Sequence, residues 1–476
     1  MFNIVKGTHD LFNKDAAKFT YIENVLAKIA EVNNFKEYRT PIMEHSELFL
    51  RSTGESSDIV RKEMYTFEDK GGRSITLRPE MTAGIIRCMV NNKLFADQDF
   101  PVKAYYIGPN FRYERPQQGR YRQFNQFGIE SVGVNSIYRD IEAILLGYNA
   151  LQILGFKNVK LKINSLGDSE TRTSYQNALK EYFSNYLEEM CDDCKERFNI
   201  NILRILDCKV EHDIEINKNA PKIQDYYSKK TLNEFEIVKE FLNKNNIPFE
   251  VDPNLVRGLD YYSGIVFEYH YTSSKGKNYG ALGGGGHYGN LVKEVGGPDL
   301  EGIGFAFGIE RLVSVMDDDD LFENIEDELD AYIMPIGENN DELGLNIANF
   351  LRINGYSCDV CLEHKGVGQM FKKAERRNAK VGIIFGDDEV KENRINLKNL
   401  ATQEQISVNL DDLIDTLDNI FEVEDEECHC HHGDGECCCH EHDDECCCHK
   451  HDDECCCHEH DDECCDGNCC CGNHHK

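Results

Sequence analysis

The sequence predicts an α+β body built on an antiparallel sheet flanked by helices, interrupted by a helical insertion and followed by a small α/β domain and a structureless tail. Three observations carry this. "AYYIGPNFRYE" and "YRQFNQFGIESVG" are aromatic and β-branched runs on either side of the polar "RPQQGR", the pattern of a long hairpin. Between about 168 and 246 the texture turns helical and charged, yet strand-like segments resume beyond it. Past residue 330, "AYIMPIG", "YSCDVCL" and "KVGIIFG" are short apolar strands alternating with helical stretches.

The elements follow in order. Phe19, Ile22, Val25, Leu26, Ile29 and Val32 recur at helical spacing, so an amphipathic helix begins after Asp15. Pro41 fits an extended segment. "LNEFEIVKEFLNKNN" is the clearest amphipathic stretch of the insertion, and "GIGFAFGIERLVSVM" reads as an apolar strand running into a helix near Ile309. "DDDDLFENIEDELD" reads as a solvated acidic linker. The expected boundaries are 1–321 for the body, 330–421 for the small domain and 422–476 for the tail.

Charge and cysteine are unevenly spread. The net charge is -34; the tail holds 19 Asp and Glu against two Lys, so half of that charge lies beyond Phe421. Such a balance excludes nonspecific nucleic-acid binding by a generally basic surface. Six of 22 Cys lie before the tail, as suits a reducing compartment, and the opening "MFNIVKGTHDLF" lacks the apolar core of a secretory signal, so a cytoplasmic location is expected.

The chemistry concentrates in four segments. Arg112, Arg115, Arg120 and Arg122 sit on or beside the two hairpin strands, and alternation turns Arg112 and Glu114 to one face. Planar guanidinium groups converging on one floor suit a polyphosphate; the alternative is a set of surface arginines paired with acids. "SITLRPEMTAGIIR" sets Glu80 and Thr82 before a helix, "RGLDYYSG" presents Arg257 beside Tyr261 and Tyr262, and "GIGFAFGIERL" places Arg311 in the first turn of a helix. Cys191 and Cys194 with Cys208 have a zinc-like spacing. Three thiols fall one short of a structural zinc's four ligands, with His212 a candidate fourth, and a purely structural role is favoured.

Together these segments resemble the histidyl-tRNA synthetases, class II aminoacyl-tRNA synthetases of bacterial type, over residues 1 to 421. "FRYERPQQGRYRQF" resembles motif 2 of the class, "GFAFGIERLV" motif 3, the segment around Pro41 motif 1, and "RGLDYYSG" the signature of the histidine enzymes. The resemblance implies that Arg112, Glu114, Arg120 and Arg311 bind ATP. Arg112 would grip the α-phosphate, Glu114 the adenine, and Arg120 and Arg311 the far phosphates, with Arg257 reaching the α-phosphate from the other side. Glu80, Thr82 and Gln126 would hold the substrate amino group; Glu130 and Tyr262, with Tyr261 alongside, would read the imidazole. It further implies Mg²⁺, tRNA(His) as acceptor, and a homodimer formed across the segment near Pro41. The stretch from Cys191 to "LRILDCK" resembles a common form of the family's insertion, and the small domain resembles its anticodon-binding domain, where Lys365, Lys372, Lys373, Arg376, Arg377 and Lys380 would follow an RNA backbone. Two departures stand out: His287 and Gly289 replace the family's usual Arg and Asp, and Asn125 replaces a common His.

The tail repeats "ECCCHEHDD" with a period of nine, and the repeats offer no apolar side chain besides Cys, so it should be disordered without a ligand. Its candidate ligands are Cys437, Cys438, Cys439, His440 and His442, then Cys446, Cys447, Cys448, His449 and His451, then Cys455, Cys456, Cys457, His458 and His460. Thiolate and imidazole select soft or borderline ions, Zn²⁺, Cu(I), Ni²⁺ or Cd²⁺. Adjacent cysteines favour a cluster with bridging sulfurs. Two rivals to an active ligase remain at this level: a catalytically dead relative such as the synthetase-like regulatory subunit of ATP phosphoribosyltransferase, and a metal-buffering protein carried on a synthetase body.

Overall fold

A computed structural model describes residues 2–425 apart from 55, 56, 58, 97, 98, 116–118, 259, 260, 323, 324, 326, 327 and 364. The chain divides into two compact units, Met1–Glu326 and Asp327–Lys476. The tail ligands lie outside the described residues.

The first unit is organised by an eight-stranded sheet. In chain order its strands are β1 (Lys36–Glu37), β2 (Val102–Phe111), β3 (Gln123–Val132), β4 (Val159–Ser165), β5 (Phe249–Val251), β6 (Tyr262–Thr272), β7 (Asn278–Tyr288) and β8 (Gly302–Gly308). In space they run β1-β2-β3-β8-β7-β6-β4-β5. The expected long hairpin is β2–β3, in register from Val102 opposite Val132 to Phe111 opposite Gln123. The sheet is mixed rather than wholly antiparallel, because β1 joins β2 and β5 joins β4 in parallel at the two edges. A parallel neighbour needs a crossover, and the helical insertion supplies the one between β4 and β5.

One face of this sheet is the core. Phe127, Ile129, Phe267, Tyr269, Ile303, Phe305 and Phe307 pack there against α1 (Asn13–Val32), α2 (Ile137–Ile153) and α3 (Ile309–Asp318). α1 begins at Asn13, three residues before the position expected from its apolar spacing. Asp317 and Asp318, at the end of α3, pair with Lys18 and Lys277, and the buried Asp319 accepts from Tyr271 at 2.5 Å. The acidic run therefore starts as part of the packed body, not as a linker.

The insertion has its own core of Tyr175, Leu179, Phe183, Ile205 and Ile223. Its last helix, α4 (Lys229–Lys244), does not belong to that core. Phe235, Val238 and Leu242 bury their faces in the main one instead, because the amphipathic stripe read from the sequence needs an apolar partner larger than the module provides. Asp168 and Ser228 cap the helices that follow them, and the Ser228 hydroxyl donates to Asp168 at 2.6 Å, so the two ends of the module are tied together.

The second unit carries a five-stranded sheet. The three foreseen strands, β9 (Leu329–Pro335), β10 (Cys358–Val360) and β11 (Ala379–Phe385), pair in parallel, with β9 between the other two. Two further strands, β12 (Arg394–Asn399) and β13 (Gln405–Asn409), extend it antiparallel and were not singled out by sequence. Their residues are largely polar, so the apolar signal that marked the first three is missing. Among the described residues no helix is long and apolar enough to cross a membrane.

Candidate active site

Residues directly opposite one another in a sheet share a face. Ala104 stands opposite Glu130, Glu130 opposite Gly304, Gly304 opposite Gly286, and Gly286 opposite Val266. By the same alternation Tyr106, Gln126, Gly128, Gly284 and Glu268 lie on this face, the one turned away from the phenylalanine core. Side chains are small across its middle. A Cβ at Gly304 would lie 2.0 Å from a Glu130 oxygen, and one at Gly284 would lie 2.9 Å from an Arg257 nitrogen and 2.4 Å from a backbone carbonyl. The glycines leave the room that the polar groups occupy.

Glu130 is the centre of this floor. It is 1 % exposed and accepts hydrogen bonds from the hydroxyls of Tyr106 at 3.0 Å and Tyr288 at 2.9 Å. Burial pushes its pKa up to about 8, and the phenols of Tyr106 and Tyr288 are pushed well above their usual range, also by burial. Tyr261 and Tyr262 are buried beside it, their ring centroids 4.6 Å apart, with Tyr261 5.8 Å from Tyr288. Tyr262 lies under Arg257, 5.8 Å from the guanidinium carbon. Sequence reasoning paired Glu130 with Tyr262 and left Tyr106 and Tyr288 without a role. Strand alternation, which puts Tyr106 on the same face as Glu130, is the signal that points to the first of them.

Glu80 is buried and accepts from the backbone N–H groups of Thr82 at 2.6 Å and Ala83 at 3.0 Å, capping the helix Thr82–Asn91. Burial raises its pKa. Each oxygen retains a lone pair beyond these bonds. The Thr82 hydroxyl is 3.4 Å from that of Tyr106, and the Gln126 side-chain oxygen accepts from Asn110 at 2.8 Å.

The arginines separate into two groups. Arg112 donates through Nε to the Pro79 carbonyl at 2.8 Å, stacks over Phe124 and stands 3.8 Å from Glu114. Arg120 reaches the same carboxylate at 3.8 Å. Arg311 donates to the Tyr279 carbonyl, and a Cβ at Gly119 would lie 3.3 Å from its side chain, which brings the start of α3 against the hairpin loop. Burial, then the nearby Arg120 cation, lower the Arg311 pKa. Arg257 donates to Glu268 at 2.7 Å, while its buried Nε has no hydrogen-bond partner among the described residues. Arg115 and Arg122 do not join this group: Arg115 is exposed and Arg122 stacks 4.0 Å over Tyr113.

The two departures have structural work. His287 bridges Asp140 at 3.1 Å and Glu301 at 3.2 Å. Burial pushes its pKa down, but the charge and hydrogen bond of Asp140, then the bond to Glu301, outweigh this and bring it to about 10, so imidazolium stands where the family has guanidinium. Asn125 donates from its backbone and side-chain nitrogens to Glu310, whose pKa burial raises to about 7.

In the second unit four of the six basic candidates are matched by acids: Lys365 and Lys373 with Glu363, Arg377 with Asp359, and Lys380 with Glu328 at 3.8 Å. Lys372 and Arg376 have no acidic partner among the described residues. His212 is exposed and lies 3.9 Å from Glu189, so it is not the fourth member of the cysteine group; Asp213, which sequence reasoning passed over, lies there instead.

A mixed sheet with helices on one face and buried carboxyls, tyrosines and arginines on the other defines the class: a class II aminoacyl-tRNA synthetase. Comparison with known proteins narrows it. Residues 7–312 match the histidyl-tRNA synthetase family and residues 330–420 the anticodon binding domain. The histidine–tRNA ligase of Bacillus subtilis is 46 % identical over 416 residues, 87 % of this chain and 97 % of that protein, and the Thermosipho melanesiensis enzyme is 45 % identical over 417. The apo Staphylococcus aureus histidyl-tRNA synthetase crystal structure superposes with a TM-score of 0.76 at 37 % identity, covering 88 % of this chain and all of that one. An ATP phosphoribosyltransferase regulatory subunit/histidyl-tRNA synthetase from Bacillus halodurans shares the fold, with a TM-score of 0.56 at 21 % identity, covering 78 % of this chain and 96 % of that one. The chain belongs to the histidyl-tRNA synthetase family.

Proposed function

We propose that the chain joins histidine to tRNA(His) in two steps. The histidine carboxylate attacks the α-phosphorus of ATP, forming histidyl-adenylate and releasing pyrophosphate, and the acyl group then passes to the terminal ribose of the tRNA. The attacking carboxylate is already ionised, so the first step needs no general base. It needs two anions to be brought together, and converging cations lower that repulsion.

Arg112 and Arg257 flank the α-phosphate in this reading, Glu114 contacts the adenine, and Arg120 with Arg311 holds the far phosphates. Mg²⁺ enters on the nucleotide and adds charge neutralisation. Glu80, Thr82 and Gln126 take the substrate amino group. Glu130, with Tyr261 and Tyr262 alongside, distinguishes the imidazole by its buried polar contact. The single observation that carries the reading is the Arg257 guanidinium: its Nε is buried with no partner among the described residues, beside the face on which Glu130 sits. An anion of the substrate satisfies it.

Around this core stand coarser proposals. Residues 1–321 form the catalytic domain with its insertion at about 168–246, residues 330–421 the tRNA-contacting domain, and 422–476 an appendage that binds Zn²⁺ or another soft ion and buffers or senses it. The enzyme works in the cytoplasm as a homodimer. Ile42, Met43, Leu50 and Phe67, exposed around the segment near Pro41, support that pairing.

Histidine-dependent pyrophosphate exchange tests the central claim. The full chain should exchange label into ATP only when histidine is present, and Arg257→Ala should lose about a hundredfold or more. Absence of histidine-dependent exchange in the folded wild-type protein overturns the reading.

A further inference from the structure

The insertion gathers three thiols and one carboxylate at a point that the aminoacylation chemistry does not use. The Sγ atoms of Cys191, Cys194 and Cys208 and a carboxylate oxygen of Asp213 all lie within 4.8 Å of one another. Local structure explains the convergence. Cys191 is the N-cap of α5 (Asp192–Ile200) and Cys194 lies in its first turn, three residues on, so both point to one side. Cys208 ends the 3₁₀ segment Ile202–Asp207, and Asp213 sits in the first turn of α6 (Glu211–Lys218).

Distances within the group fit one tetrahedral ion. A zinc–sulfur bond of about 2.3 Å sets a tetrahedral S···S edge of about 3.8 Å and, with an oxygen at about 2.0 Å, an S···O edge of about 3.5 Å. Cys191 and Cys208 Sγ are 3.8 Å apart, and Cys208 Sγ lies 3.3 Å from Asp213 Oδ2. The Val210 N–H donates to Cys208 Sγ at 3.4 Å, and the Cys191 N–H reaches both Asp213 oxygens at 3.3 Å. Such outer bonds orient metal ligands.

A second observation points the same way. Asp213 is 0 % exposed, and no Lys, Arg or His side chain pairs with it among the described residues. A buried carboxylate without a cation is costly, and besides the long contacts from the Cys191 N–H only three weakly donating thiols surround it. A divalent ion supplies the missing charge.

We propose that Cys191, Cys194, Cys208 and Asp213 form a structural zinc site, closed to solvent ligands, that pins α5 and α6 to the 3₁₀ segment between them. Binding replaces the thiol protons, which leave to water, with metal–sulfur bonds. The site also bears on the catalytic face. Arg204, in the pinned segment, donates to the Gly258 carbonyl at 2.9 Å, next to Arg257. The spacing Cys-x2-Cys-x13-Cys-x4-Asp is what sequence reasoning left incomplete for want of a fourth ligand.

The cysteine-rich tail will take up metal in any bulk assay, so the test is residue-resolved and uses the full chain. Protein reduced and stripped with a chelator, then given Zn²⁺ or none, is alkylated, and each cysteine is followed by peptide mass spectrometry. Cys191, Cys194 and Cys208 should label together, at least tenfold faster without Zn²⁺ than with it, while Cys88 and Cys358 are indifferent. Asp213→Ala should abolish the zinc protection of all three thiols, and Cys191→Ser should hold one zinc ion fewer than wild type, the tail contributing equally to both. Labelling rates unmoved by Zn²⁺, zinc protection that survives in Asp213→Ala, or recovery of Cys191 and Cys208 as a disulfide in zinc-loaded protein overturns the site. The wild-type comparison stands even if a variant fails to fold.

Discussion

The two faces of the eight-stranded sheet come from the same strands and differ by one residue of register, yet they answer to different demands. On one, Phe127, Phe267, Phe305 and Phe307 fill the space under the helices. On the other, glycines leave space and the side chains that enter it are Glu130, Tyr106, Tyr288 and Glu268. The first face lowers the free energy of folding. The second holds carboxyl and guanidinium groups out of water with their needs only partly met, which costs stability and is useful only when a ligand arrives.

Substitutions should therefore split by face. Phe305, 2 % exposed and within 5.0 Å of Phe307 ring to ring, is the core test. Phe305→Ala should cost about 4 kcal/mol in urea unfolding, as deep phenylalanine truncations do, with activity per folded molecule little changed. Arg311→Gln is the counterpart. Removing it takes away a cation repelled by Arg120, so the unfolding midpoint should hold or rise slightly, while pyrophosphate exchange falls on the order of a hundredfold, about 2.7 kcal/mol. If Arg311→Gln instead unfolds the protein with exchange intact, the division between the faces is wrong.

Glu130→Gln probes the centre of the polar face. KM for histidine should rise roughly tenfold to a hundredfold, since a buried site built for hydrogen bonding discriminates through the groups left unpaired. The same variant carries a pH signature. The folded-state pKa of Glu130 is raised to about 8 from its ordinary 4.5, so the folded protein holds a proton that the unfolded chain gives up. Wild type should lose stability relative to Glu130→Gln as pH rises from about 4.5 to 8, and the difference should level off above that.

Why the sequence revealed some of this and not the rest follows from the range over which each signal acts. The hairpin, the strand into α3 and the first three strands of the second unit are written in local runs of apolar and β-branched residues. The pairing of Arg311 with the hairpin loop was recoverable only through resemblance, because nothing within a strand's length connects residue 311 to Gly119. Tyr288 was passed over for the same reason, since it meets Glu130 through register between strands far apart in the chain, whereas Tyr106 was within reach of the alternation in the β2–β3 hairpin. Strands β12 and β13 do alternate, Ile395 and Leu397 in one and Ile406 and Val408 in the other, but they lack the continuous apolar run that drew attention to β9 and β11. Asp213 was missed because a carboxylate in an acidic helix start looks like a solvated cap, and only its zero exposure separates it from its neighbours.

The smallest expected effect concerns the edge of the core face, where His287, opposite Ile303 and bonded to Asp140 of α2, stands in for the family's arginine. Its neighbour Tyr288 reaches Glu130, so the ion group of Asp140, His287 and Glu301 anchors the strand end that delivers that hydroxyl. His287→Leu should cost about 1–2 kcal/mol near neutral pH, by leaving Asp140 buried with its partner gone. The pKa of His287 is raised from 6.5 to about 10, so its contribution is complete below about pH 6.5 and is lost as pH climbs to about 10. The gap between wild type and His287→Leu should close over that window, whereas His287→Arg, which stays charged, should keep its margin at about pH 10. Urea unfolding of the three proteins across that range checks the sign; a gap that stays constant across it would mean that the imidazole is neutral in the folded protein and held by packing alone.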